Sequence, residues 1–317
     1  MHMSDALISP TVAGVMGMIS VASLIWAVRK VRESKVDNIV PLMGVMGAFV
    51  FAAQMINFTI PGTGSSGHIV GGILLASLLG PWAALIVLAS VLTIQCLVFA
   101  DGGLLALGCN LFNMAVCTCL IAYPLVYRPL AGSHLTTGRI VWASTLACVV
   151  GLLLGAFAVT LETTASGITA LPFGDFLLFM LPIHLLIGIG EGLATAAVLC
   201  FVHKYKPELL VQRLESSRSR SHLWVFSIGA LLMAATFGWV ASTHPDGLEW
   251  SVQQVTGQEE VATTGNTVSG IAESIQHHTA LMPDYDHALA GIAGALLVVL
   301  LVGVFSLVLS RHRVKAA

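Results

Sequence analysis

Charge is what this sequence has least of. Charged residues make up 9% of its 317 residues against 56% that are hydrophobic, where an ordinary soluble domain carries about 25% charged residues. A chain this poor in charge cannot cover itself with a solvated surface. The solvent to reason from is lipid, in which only helices and closed barrels span. Its apolar runs are continuous rather than alternating, which excludes a barrel. Whole stretches also lack basic residues: all 14 Lys and Arg fall within 29–35, 128–139, 204–220 and 311–315. No Gly-Lys-Ser or Gly-Lys-Thr phosphate loop occurs, so this chain has no site of its own for ATP hydrolysis. The six cysteines (Cys96, Cys109, Cys117, Cys119, Cys148 and Cys200) have no zinc-site spacing. Lying in or at the ends of apolar runs, they read as small packing residues. No nucleic-acid partner is expected.

What the chain has is apolar runs at 10–28, 39–58, 69–79, 82–99, 104–126, 140–161, 174–202, 223–241 and 287–309. A spanning helix takes about 20 such residues. The third run is short, and the Gly-Pro turn of LLGPW (78–82) parts it from the fourth. The pattern predicts an all-α polytopic membrane protein. Residues 1–205 form a seven-helix bundle and 206–222 a basic cytoplasmic linker. Residues 223–317 form a two-helix module whose polar segment 242–286 is a long external loop. With the N-terminus outside, all four basic segments fall inside, as the positive-inside rule requires. Asp5, Asp101, Glu162, Asp175 and seven acidic residues between 242 and 286 fall on the other side. The chain is then integral to the plasma membrane, N-terminus outside and C-terminus in the cytoplasm. The first basic cluster follows its apolar run, the reverse of a secretory signal. That run reads as an uncleaved anchor, and residue 2 stays in the mature protein. Within 242–286, GQEEVATTGNTVSG has the composition of a flexible segment.

The opening Met-His carries chemistry. An α-amine followed by the backbone nitrogen of His2 closes a five-membered chelate ring on a metal ion. That nitrogen and His2 Nδ1 close a six-membered ring. Three nitrogens then lie in a plane with one corner open, and a fourth completes the square-planar site diagnostic of Ni(II) or Cu(II). By itself His2 is more simply a surface histidine at a chain end. The segment NFTIPGTGSSGHIVGG (57–72) changes the balance, because its five glycines and His68 fall on the same side. Glycines let a loop approach a small buried ligand closely.

These residues resemble the CbiM/NikM substrate-binding membrane subunits of energy-coupling-factor nickel and cobalt transporters. The family opens Met-His with Pro-Asp-Gly close behind; here Asp5 matches while Ser4 and Ala6 depart. Its Asn-Phe…Gly-Thr-Ser-Gly-His segment has its counterpart in Asn57-Phe58 and Gly62–His68. Its Asp-Gly-Gly…Asn segment matches FADGGLLALGCNLFNMA (99–115), and its Ile-Gly-x-Gly-Glu motif matches Ile187–Glu191. The likeness covers about 1–205. PDGLE (245–249) and PDYDHALAGIAG (283–294) resemble the small companion subunit, NikN-like, so the whole is similar to a NikMN fusion. The resemblance implies Met1, His2 and His68 as metal ligands, Ni²⁺ or Co²⁺ as bound substrate, and no resident cofactor. It implies a transport subunit rather than an enzyme. Its partners are a membrane coupling subunit, cytoplasmic ATPase subunits and the lipid bilayer.

Other polar residues have two readings each. Asp101 is a solvated cap, or it orients an imidazole at the site. Asn57, Asn110 and Asn113 supply hydrogen bonds near the ion, or bind helices to one another. His184 and Glu191, seven residues apart on one helix, read as a buried polar network, with a proton relay as the sharper alternative. Neither is expected to ligate metal, since both are placed away from the external loop. Ala48 and Ala52 form a small-xxx-small pair, and the resemblance implies contact there with the coupling subunit. Two rivals remain. Gly64-Ser65-Ser66-Gly67 matches the Gly-x-Ser-Gly signature of rhomboid intramembrane proteases, with Ser66 as nucleophile and His184 as the one deeply placed base. A stand-alone metal permease is the other, but the His-x4-Asp-His motif of single-chain nickel–cobalt permeases is absent.

Overall fold

The computed structural model describes residues 1–33, 39–210, 227–230, 232, 242–258, 261, 267–285 and 290–311. Because backbone groups find no water inside a bilayer, the apolar runs close their hydrogen bonds within themselves. They form α1 (Pro10–Glu33), α2 (Ile39–Gln54), α3 (Gly72–Leu79), α4 (Pro81–Phe99), α5 (Leu107–Ala131), α6 (Thr137–Ser166) and α7 (Phe173–Tyr205). Among the described residues, α1, α4, α5, α6 and α7 are long and apolar enough to cross a membrane. The expected break between the third and fourth runs is present. Gly80 takes φ +82°, a conformation that disfavours any side chain, and Pro81 starts α4 where its missing N–H costs nothing. Of the helix expected over 223–241, residues 227–230 and 232 are described and helical; the rest of it, and most of the linker 206–222, lie outside the described residues.

Helix α5 packs against α1, α3, α4 and α6, and α6 lies along α7. That last pair approaches closely through Gly188 and Gly192, one turn apart. A Cβ on Gly188 would stand 2.8 Å from the Val149 backbone, and one on Gly192 would meet the Thr145 backbone. This is the small-residue packing typical of helices in lipid. Large apolar side chains such as Met18, Trp26, Trp142, Leu178 and Phe201 face outward. Ala48 and Ala52 do not: both are buried, on a helix that packs against α10 (Ala290–Arg311) of the C-terminal module.

Two features depart from a pure helix bundle. A hairpin of β1 (Phe58–Ile60) and β2 (Ser65–Gly67) follows α2, pairing Phe58 with Gly67 and Ile60 with Ser65. Its second strand is buried, and a Cβ on Gly67 would stand 2.6 Å from Ile187 of α7. The hairpin therefore dips into the bundle. The segment 242–286 also carries two helices, α8 (Gly247–Thr256) and α9 (Thr267–Thr279), while half of the stretch read as flexible, 257–270, lies outside the described residues. Asp246 and Glu249 form a capping box at the start of α8, and Gly257 at φ +76° ends it. Helix α8 lies against α7 and β2.

The close α6–α7 approach makes a stability prediction. Gly192→Val should lower the stability of the purified protein by about 1–3 kcal/mol through overpacking. An unchanged thermal unfolding midpoint in detergent would contradict this packing.

Candidate metal centre

The first eight residues run into the bundle rather than away from it. Met1, Met3 and Ile8 are buried. The peptide of Met3 is gripped on both sides, its N–H donating to Asn110 Oδ1 (2.7 Å) and its carbonyl accepting from Asn110 Nδ2 (3.1 Å) and Gly103 N (2.8 Å). Asn113 stands 3.7 Å from Met3 Sδ and donates to Glu162 (2.8 Å). Asp5 accepts from Ala106 N at 2.9 Å, and burial raises its carboxyl above the ordinary range. These contacts fix where residue 1 ends up. Asn110, Asn113 and Asp5 thus hold the N-terminal segment in place.

His68 enters from the hairpin. Its Nδ1 is 3.1 Å from the Ile69 carbonyl, which leaves Nε2 as the lone-pair nitrogen, and Nε2 stands 3.5 Å from the Met1 amine. Glu191 anchors the segment that follows, accepting from Val70 N and Gly71 N at 2.9 Å each. Burial, then the nearby ammonium and His2, push the His68 imidazole down to about 4, so it is neutral at pH 7.

The His2 ring stacks on His68, centroids 5.3 Å apart and planes 18° from parallel. Its Nδ1 faces Asp101 Oδ1 at 3.1 Å, while the other oxygen of Asp101 accepts from the Tyr285 hydroxyl at 2.6 Å. Asp101 thus stands between the His2 imidazole and the Tyr285 hydroxyl, within hydrogen-bond distance of each. Burial lowers the His2 pKa, and the Asp101 carboxylate opposes that shift.

The fourth participant was not expected from sequence. The Met1 ammonium pairs with Asp246 Oδ2, the aspartate of PDGLE. Oδ1 of the same carboxylate accepts from Leu248 N (2.7 Å) and Glu249 N (3.0 Å), capping α8. Burial opposes its ionisation, but the ammonium outweighs that and holds the carboxyl well below the usual range. Two contacts from β2 place Asp246: Ser66 N donates to the Pro245 carbonyl and Ser66 Oγ to the His244 carbonyl, both at 2.8 Å. Trp250 Nε1 adds a bond to the Thr63 carbonyl at 3.0 Å. A D-x-x-E box at Asp246 and Glu249, with apolar Leu248 and Val252 one helical turn apart, is the signal the sequence offers, and the polar composition around it hides it.

Several expectations change. His184 and Glu191 are not remote: His184 lines one small cavity with Met1, His68 and Asp246, and Glu191 holds the backbone after His68. The reason is the inward dip of the hairpin. The contact found for Asn57 is away from the cluster, its carbonyl accepting from Ser242 N at 2.8 Å. Ser66 gives its hydroxyl proton to main-chain carbonyls, which cannot act as the base a serine nucleophile needs. The protease reading therefore finds no support. Among the described residues, no three His, Cys, Asp or Glu side chains form a metal cage by themselves. The donors gathered here include a main-chain amine.

Fold and site define an all-α integral membrane protein with an amine, two stacked imidazoles and a carboxylate in one partly buried cluster. The chain belongs to the CbiM family, described as the cobalt uptake substrate-specific transmembrane region, which matches residues 2–209; residues 220–311 match the PDGLE domain. It is similar to the probable fused nickel transport protein LarMN of Lactiplantibacillus plantarum, 32% identical over 92% of this chain and 90% of that one. It is also similar to the putative fused nickel transport protein NikMN of Archaeoglobus fulgidus, 38% identical over 67% of this chain and 69% of that one. A crystal structure of a transition metal transporter shares the fold with a TM-score of 0.59 and 34% identity, covering 70% of this chain and 100% of the other.

The Met1–Asp246 pair yields a prediction independent of metal. Asp246→Ala leaves a buried ammonium without its partner and α8 without its cap, so metal-free protein should lose on the order of 3 kcal/mol. Denaturant unfolding checks this, and a loss below about 0.5 kcal/mol, the scale of an exposed pair, would contradict the pairing.

Proposed function

We propose that this chain is the metal-capture subunit of an energy-coupling-factor importer for a divalent transition metal, Ni²⁺ in preference to Co²⁺. The observation that carries this reading is the approach of the Met1 amine to His68 Nε2 at 3.5 Å, with the His2 ring stacked alongside. The family membership and the fused nickel transport relatives support it. The ion is cargo, and the chain acts as a carrier rather than an enzyme. With no phosphate loop in the sequence, reorientation is driven by a membrane coupling subunit and cytoplasmic ATPase subunits. The N-terminus and the 242–286 segment face the outside, and the basic segments face the cytoplasm.

Capture proceeds as an exchange. The amine of Met1 gives up its proton and its ion pair with Asp246, and turns its lone pair to the metal. The His2 imidazole rotates about Cβ–Cγ so that Nδ1 leaves Asp101 and closes the six-membered ring with the deprotonated backbone nitrogen. His68 Nε2 fills the fourth corner. Four nitrogens in a plane favour Ni²⁺ over Co²⁺, and Cu²⁺ competes. The buried, apolar setting strips the ion of water, and the hairpin and α8 close over it.

Two outcomes test this. Adding Gly-Ser before Met1 removes the chelating amine, and His68→Ala removes the fourth nitrogen. Either should weaken Ni²⁺ binding roughly 100-fold or more, measured by titration of the purified chain. Unchanged planar nickel in the extended protein would defeat the assignment. Affinity should also fall with acid, because amine and amide must lose protons to bind. His68 joins that competition only near pH 4. Between pH 8 and 6 the loss should be on the order of 10- to 100-fold per pH unit, one or two protons per ion. A flat profile would contradict amine and amide ligation.

A further inference from the structure

His184 has the arrangement that makes His68 a donor, and the proposed capture site makes no use of it. It sits on α7 eleven residues past Phe173, about 16 Å along the helix, and is 1% exposed. Its Nδ1 stands 2.8 Å from the Met180 carbonyl, which fixes the proton on Nδ1 and leaves Nε2 with a lone pair. That Nε2 is buried and has no hydrogen-bond partner among the described residues. A buried polar atom without a partner is costly, and this one opens onto a cavity rather than onto packed side chains.

The open nitrogen shares a cavity with ligand-type groups. Met1, His68, His184 and Asp246 line it, with Leu152 and Ile187 as apolar wall. Its volume is about 10 Å³, room for one water or one bare cation. His2 is not among its walls. Gly247 leaves the imidazole uncovered: a Cβ there would stand 3.1 Å from His184 Cε1 and 3.3 Å from Nε2. Any other residue after Asp246 would crowd the open edge of the ring.

We propose that this cavity is a second coordination position for the cargo ion: in the metal-free structure His68, His184 and Asp246 line it without yet being drawn together as a ligand set, and the ion gathers the Met1 amine, His68 Nε2, His184 Nε2 and the Asp246 carboxylate around itself. It rests on the capture reading for Met1 and His68 and adds a destination. When the His2 chelate opens, its backbone nitrogen takes a proton back from solvent and its imidazole leaves, and His184 and Asp246 replace these two nitrogens while the amine and His68 keep the ion. Three nitrogens and one oxygen suit any first-row divalent ion that accepts imidazole. Without the His2 chelate rings this set holds its ion less tightly, which suits a position passed through on the way to release.

The test counts imidazoles without altering His184. His2→Ala in the untagged full chain, in nanodiscs, is loaded with Cu²⁺ as probe, and electron spin-echo modulation reports the number of bound rings. Two rings are expected, from His68 and His184. One ring overturns this proposal and leaves the capture site standing; none overturns both. A companion measurement uses Co²⁺. Adding His184→Gln to the His2→Ala chain should weaken Co²⁺ binding roughly 10- to 100-fold and change its visible absorption, whereas equal affinity and equal spectra would overturn the proposal.

Discussion

The ion pair between the Met1 ammonium and Asp246 is the contact on which the rest of the structure turns. A charged amine carried into a bundle this apolar needs an opposite charge beside it, because an unpaired buried ion costs several kcal/mol even after relaxation. The first half of the chain brings the amine, and the second half brings the carboxylate. Asp246 is no loose side chain swung into place. Its other oxygen caps α8, and its backbone neighbours are bonded to β2 through Ser66. A pair held this firmly adds little stability over an apolar substitute, but it is very costly to break on one side only. That asymmetry suits an exchange site, where the amine stays buried and a metal ion takes the place of the proton and the counter-charge.

The C-terminal module is therefore part of the site as well as a neighbour of it. It reaches the amine through Asp246 and the hairpin turn through Trp250. It reaches His2 at one remove, through Tyr285 and Asp101. Gln276 of α9 also bonds the carbonyls of Cys96 and Gly102 that flank the turn carrying Asp101. Elements far apart in sequence thus meet around the first three residues. The same closeness explains the glycines at 67 and 247, where neither segment has room for a side chain against α7.

How much of this the sequence announces depends on the range of the signal. Spanning helices follow from long apolar runs, and the Gly80-Pro81 break from two residues with fixed backbone habits. The pairing of His2 with His68 is legible because chelate chemistry demands an amine, an amide and imidazoles together. Depth is not legible. Hydropathy places His184 and Glu191 within a helix but says nothing of a hairpin that descends to meet them. Composition likewise marks 242–286 as polar without revealing that Asp246 and Glu249 close a capping box and start a helix. Small residues four apart are common in apolar helices; Ala48 and Ala52 fit that pattern, yet Gly188 and Gly192 make the close approach to another helix.

The most direct measurement is nickel K-edge absorption on the full chain in a bilayer, loaded with one ion per chain. The account predicts a planar shell of four nitrogens, two of them from imidazoles, and no sulfur. A shell containing sulfur from Met1, Met3 or a cysteine, or one made of oxygens around an ion that keeps its water, would contradict it.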